Sequence, residues 1–340
     1  MDLRLTEEQE MARKVFRDLA AEEIAPIARR IDQEGWFPAD AMRKLGEVGL
    51  FGILVPPPYG GAGLDRLDWA IAIEEISAAS ASVGWCAMTS TAVAFAILAF
   101  GDEAPKDKYL PALANGTMLA SFALAESGGG TNWLQTLQTR AVADGDDYLV
   151  DGSKCFISNA GEAEVYAVMT RTDPTAGPAG FSVLLIDKDT PGFSFGTRED
   201  KFGLRGDPTG ELVFDECRVP RENLLGEEGD GMKVFQALGA LDCTGHGAVT
   251  VGLARAALDA CLDYLGQRVV SGETTLASFE NVQRAVADMA VGVEAARLIT
   301  HRAALPKAAE GPDPLTLSAA MFGNQVALEV TGKAVELHGG

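Results

Sequence analysis

A chain of 340 residues that is 47% hydrophobic and 23% charged can build a large buried core, which excludes a disordered or fibrous protein. A formal charge of −21 repels bare phosphates, so a nucleic-acid surface is excluded and any anionic ligand needs a local basic patch. Three histidines without ligand spacing offer no metal site, and five scattered cysteines without a CxxC pair suit a reducing, cytoplasmic setting.

No apolar run follows Met1, so no secretory signal is expected. Thr6 ahead of Glu7, Glu8 and Gln9 reads as the N-cap of a first helix with acidic residues on its opening turn. Val15, Leu19, Ile24, Ile27 and Ile31 continue an approximate helical stripe. Residues 55–63, rich in proline and glycine, must form a loop. Trp69, Ala72, Ile73 and Ile76 then give an apolar helix face from which Glu74 and Glu75 are expected to turn away. Residues 81–101 are uncharged and long enough to span a membrane. Their small residues, with Trp85 and Cys86 among them and acidic segments on either side, predict a helix buried in protein and no membrane span.

Near Ala120 the character changes to short β-rich segments divided by turns, at 148–150, 165–170, 181–186 and 211–214. Helical periodicity returns after Gly231, over 249–265 and 282–298. The layout predicts an α+β multidomain fold: a helical domain over 1–120, a β domain over 121–228 and a helical domain over 229–340.

Two segments could carry chemistry. Residues 126–132, Glu-Ser-Gly-Gly-Gly-Thr-Asn, form a glycine-rich loop whose backbone N–H groups can approach an anionic or carbonyl oxygen; alone, they fit a flexible connection equally well. No GxGxxG follows a strand, so a Rossmann site has no support. In a strand, Phe156 and Ser158 would share one face, and a ring beside a hydroxyl suits a flat heteroaromatic ligand. A core phenylalanine with a serine bonding the backbone fits that segment too.

The order of pieces narrows the choice. Phe51-Gly52 and Tyr59-Gly60-Gly61 come first, then Glu74-Glu75-Ile76, Tyr109-Leu110-Pro111, and Ser121 to Glu126 with the glycine loop. Lys154 to Gly161, then Phe214 to Pro220, Gly231-Met232-Lys233, Ala287-Asp288-Met289 and His338-Gly339-Gly340 follow. This series resembles the acyl-CoA dehydrogenase family over essentially the whole chain. The resemblance implies an N-terminal helical domain, a central β-barrel and a C-terminal helical bundle. It also implies a noncovalent FAD, an acyl-CoA substrate desaturated between its α and β carbons, and an electron-transfer flavoprotein as electron acceptor.

By resemblance, Phe122, Leu124, Ala125, Gly130 and Thr131 hold the flavin and its pyrophosphate, and Thr131 also contacts the CoA chain. Phe156 and Ser158 flank the isoalloxazine. Asp242 and Thr244 lie on the helix that lines the acyl pocket. Arg268 reaches the FAD of a neighbouring subunit, and Gly339 and Gly340 lie near the adenosine, so a dimer, a homo-tetramer or a hetero-oligomer with a related subunit is expected.

The sequence departs from the family pattern at Ala125, Gly245, Ser271, Glu280 and Glu336. The family's usual catalytic glutamate lies beyond the glycine pair, and the alternative base position reads as Thr244, which cannot serve; Asp242 is a nearby carboxylate. The catalytic base is therefore left unassigned. The expectation is a dehydrogenase lacking its last part, a base-lacking subunit completed by a partner, or a flavin- or acyl-CoA-binding relative of the monooxygenase-like branch.

Overall fold

The computed structural model describes residues 4–305 and 314–339. Helix α1 (Glu7–Leu19) begins with a capping box: Gln9 N donates to Thr6 Oγ1 at 3.2 Å, and Thr6 N donates to the Gln9 side chain at 3.0 Å. A π-turn (Ala20–Ile24) and a 3₁₀ turn (Ala25–Ile27) separate α1 from α2 (Ala28–Glu34), with Pro26 in the second. They rotate the apolar stripe, so Phe16 and Ala20 are buried while Val15, expected inside, is exposed.

After α3 (Ala39–Glu47), residues 55–63 form the expected loop, with one 3₁₀ turn at Pro57–Tyr59. Helix α4 (Arg66–Ala79) is capped by Asp65, which accepts from Leu67 N and Asp68 N. It is buried on every side from Trp69 to Ser77. The expected outward turn of Glu74 and Glu75 is therefore wrong: both lie buried among arginines from three other helices. Helix α5 (Ala81–Phe100) is apolar enough to cross a membrane, but 67% of that window is buried inside the protein. Helix α6 (Glu103–Ala114) completes this part.

Strands β1 (Ala120–Ala123), β2 (Arg140–Asp144), β3 (Asp147–Ile157), β4 (Val165–Arg171), β5 (Phe181–Asp187), β6 (Phe193–Arg198), β7 (Gly210–Pro220) and β8 (Leu224–Leu225) follow, with the short α7 (Trp133–Thr136) after β1. They form one sheet in the order β6-β7-β3-β2-β4-β5-β8, with β1 added parallel to β4. Residues 165–170 and 181–186 are buried on both faces, which explains their continuous apolar runs.

Helix α8 (Gly231–Gln267) runs about 55 Å at 1.5 Å per residue. It packs against α4, α5, α9 (Glu280–Ala304) and α10 (Pro314–His338), with a short hairpin of β9 (Val269–Ser271) and β10 (Thr274–Thr275) between α8 and α9. Glycines set the closeness of that packing. A Cβ at Gly252 would lie 2.5 Å from the carbonyl of Glu74, and one at Gly245 would lie 2.6 Å from the Trp69 ring. The Gly245 departure thus has a steric reason, since no arginine fits against Trp69 and Met88 there. The main core spans all three parts, and a second core joins α8, α9 and α10 through Leu258, Met289 and Val330.

A cavity where the helices meet the sheet

Four elements converge on one cavity of about 240 Å³. Helix α5 contributes Trp85, Thr89 and Ala92, and α8 contributes Phe235, Leu238, Gly239 and Asp242, each set spaced to share a helix face. Phe122 and Leu124 arrive from the end of β1, and Phe156 and Ser158 from the end of β3. The volume falls below the ~300–1,000 Å³ of pockets that enclose a whole ligand, so it suits one end of a larger one. Its walls are braced by rings: Phe235 packs on Phe122 at 6.4 Å and edge-on to Trp133 at 5.0 Å.

Phe156 and Ser158 reach the same cavity as expected, but not along a regular strand. β3 ends at Ile157, its register with β7 shifts between Lys154 and Ile157, and Phe156 takes a left-handed backbone with φ 59°. That conformation is costly for an aromatic residue, and it leaves the ring 64% exposed at the cavity. An exposed ring held this way fits a flat conjugated ligand better than it fits a core.

The glycine loop has a rigid root. Glu126 is buried, and its Oε1 accepts from Lys154 Nζ at 2.8 Å and from Thr139 N at 2.9 Å. Its other oxygen accepts from Gln138 N, Lys154 also donates to Leu124 O at 3.1 Å, and Cys155 N donates to Ala125 O at 2.9 Å. Burial pushes Lys154 down to about 8 against the opposing pull of Glu126. Burial would raise the Glu126 carboxyl, but the ammonium and the donated hydrogen bonds outweigh it and hold the group below its ordinary value. Beyond this root, Gly130 and Thr131 are exposed, with open space about Gly130.

Ser158 is held from behind. Its Oγ accepts from Trp85 Nε1 at 3.0 Å and donates to Asp207 Oδ2 at 2.9 Å. Asp207 is buried and also accepts from Lys201 Nζ (2.8 Å), Thr209 Oγ1 (2.9 Å) and Asn159 N (3.2 Å). Nothing in the local spelling marks Asp207, Lys201 or Trp85; they reach Ser158 only through the fold.

Helical phase decides between Asp242 and Thr244. Two residues turn about 200° round a helix, so they occupy opposite faces. Asp242 lines the cavity, with His246 Nδ1 3.8 Å away. Thr244 is buried in the opposite direction, its hydroxyl donating to Ala240 O at 3.0 Å. Arg268 caps the far end of α8, about 39 Å along the helix from Asp242. His338 stacks on Tyr264 at 4.5 Å, so Gly339 lies at that same distal end. Gly340 lies outside the described residues. Of the other departures, Glu336 is paired with Lys333 and Glu280 opens α9.

Helical, sheet and helical parts thus meet at one aromatic cavity, and the glycine-rich loop follows closely in sequence on Leu124, which lines it. Family models of the acyl-CoA dehydrogenase N-terminal, middle and C-terminal domains match residues 6–117, 121–217 and 229–340. The chain is 41% identical over 340 residues to an acyl-CoA dehydrogenase of Bacillus subtilis, covering 99% of this chain and 89% of that protein. The solved butyryl-CoA dehydrogenase of Megasphaera elsdenii superposes with a TM-score of 0.95 at 36% identity, over 100% of this chain and 90% of the other. A chain solved in work on the electron transferring flavoprotein of Acidaminococcus fermentans gives a TM-score of 0.95 at 38% identity, with the same coverage. The chain belongs to the acyl-CoA dehydrogenase family, FAD-dependent oxidoreductases acting on CH–CH bonds.

Proposed function

We propose that this chain is an acyl-CoA dehydrogenase subunit that desaturates a short acyl-CoA thioester and passes the electrons to an electron-transfer flavoprotein. The observation that carries the proposal is the cavity itself, which joins Phe122, Leu124, Phe156 and Ser158 to a carboxylate, Asp242. The likeness to a butyryl-CoA dehydrogenase supports a short acyl chain. The likeness to a chain from work on an electron transferring flavoprotein supports the acceptor.

In this reading a bound FAD would supply the hydride acceptor for the β carbon. Phe156, Phe122 and Leu124 would hold its ring system, while Ala125, Gly130 and Thr131 would receive the more polar part along the loop, with Thr131 contacting the CoA chain as well. Of the lining residues Asp242 alone offers a carboxylate, and we assign it the α-proton. Thr244 shapes the helix and does not meet substrate. Arg268, Gly339 and Gly340 serve the site of a second subunit, because α8 places Arg268 about 39 Å from the cavity of its own chain. An exposed heptad row on α10, Met321, Leu328 and Val335, supports helix packing between subunits. The five free thiols fit a cytoplasmic enzyme.

The experiment is Asp242→Asn in the FAD-loaded protein, followed by dye reduction with butyryl-CoA. We expect kcat to fall by about 10²–10⁴-fold with the flavin spectrum intact. A second reading, a carboxylate delivered from outside this chain, is favoured by the exposure of the Asp242 side chain, 47%. It predicts unchanged turnover in Asp242→Asn and turnover that depends on a related partner subunit.

A further inference from the structure

Ser158 faces the cavity with its hydrogen-bonding capacity almost spent, and the chemistry of its neighbours dictates which part remains. An indole N–H can only donate, so Trp85 occupies one lone pair of the Ser158 oxygen. A carboxylate can only accept, so the single hydroxyl proton points at Asp207. The same direction is shared by its other partners: Lys201, Thr209, the Asn159 amide and the Cys86 thiol all donate to Asp207 as well. One lone pair is left. Toward the cavity, Ser158 is an acceptor and cannot donate.

The geometry points to Asp207 as a positioning residue that locks the Ser158 hydroxyl as an acceptor, so that the site holds reduced flavin more tightly than oxidised flavin. The inference rests on the reading that FAD occupies this cavity. Reduction converts acceptor nitrogens of the flavin ring into N–H donors, and an acceptor-only hydroxyl rewards that change. A serine free to rotate would serve either state. Here Asp207 removes the choice, and the consequence is a raised reduction potential, which favours electron uptake from the acyl chain.

The potential of the FAD-reconstituted protein, measured by equilibrium dye titration, tests this. Ser158→Ala is expected to weaken the preference for reduced flavin by about tenfold, roughly one net hydrogen bond, which lowers a two-electron potential by about 30 mV. Asp207→Ala frees the Ser158 proton and is expected to lower the potential in the same direction. Asp207→Ser, whose shorter side chain no longer holds that proton, gives the same comparison in a less disruptive form. Combined with Ser158→Ala, neither Asp207 change is expected to add a further fall. A rise in potential on replacing Asp207 would show its charge acting on the flavin directly, since losing a negative group favours the electron-rich form, and would overturn the proposal. An unchanged potential in Ser158→Ala would overturn it too. A wild-type protein that stays colourless after incubation with FAD overturns the FAD reading itself, and this inference with it. The outcomes are therefore separable.

Discussion

Two buried ionic clusters hold this molecule together by different means. Beside the cavity, Glu126 depends on one lysine, Lys154, and on two backbone amides. Between the helical parts, Glu74 and Glu75 are shared among three arginines. Arg297 bonds Glu74 through Nε at 3.1 Å, Arg255 bonds Glu75 at 2.7 Å and lies 3.3 Å from Glu74, and Arg17 bonds Glu75 at 2.9 Å. The first cluster anchors a loop with a single cation that can lose its proton. The second joins α1, α4, α8 and α9 with guanidiniums that cannot. Redundancy is what separates them: removing one cation strands a carboxylate in the first cluster and only thins the second.

The largest expected effect is therefore Lys154→Met. It leaves Glu126 buried without its counter-charge and should cost about 3–5 kcal/mol, read as a lower urea midpoint. A loss below about 1 kcal/mol would mean that the two backbone amides suffice and that the contrast between clusters is false. Arg255→Met should cost less, about 1–3 kcal/mol, because Glu74 keeps Arg297 and Glu75 keeps Arg17. Equal losses in the two variants would erase the distinction.

pH sharpens the comparison further. Lys154 titrates near 8 in the folded chain and near 10.5 when unfolded, so between those values the unfolded state binds more protons. The cost of burying a charged Lys154 is fully present below about 8 and is relieved as pH rises toward 10.5. The stability gap between wild type and Lys154→Met should thus widen from pH 7.5 to pH 9.5, while the gap to Arg255→Met stays constant. A gap that narrows would reverse the assigned sign. The smallest effect belongs to Arg17→Ala. Its side chain is 50% exposed and Glu75 retains Arg255, so a loss of no more than about 1 kcal/mol is expected by thermal melting.

What could be read from the sequence was what local chemistry decides. The N-cap at Thr6 and the strands around residues 165–170 and 181–186 depend on neighbours a few positions away. Glu74 and Glu75 were misplaced because their partners lie up to 223 residues off, and a glutamate pair in an apolar helix looks outward until those arginines are known. Val15 was misplaced because a π-turn interrupts the helical period that the stripe assumed. Phe122, Leu124, Phe156 and Ser158, singled out through the family resemblance, line one cavity. Asp242 could not be separated from Thr244 by spelling alone. That choice needs the rotation of α8, which Gly245 and Gly252 fix by letting α4 and α5 approach closely.

The single rod of α8 has a further consequence. It carries Asp242 near one end and Arg268 at the other with no loop between them. One residue inserted within that span would swing everything beyond it by about 100° and advance it by about 1.5 Å. The cavity, the second core and the distal tip are thus geared to one shaft. Length variation is free to accumulate in the turns of the sheet, but along α8 it must come in steps close to seven residues or throw the two ends out of phase.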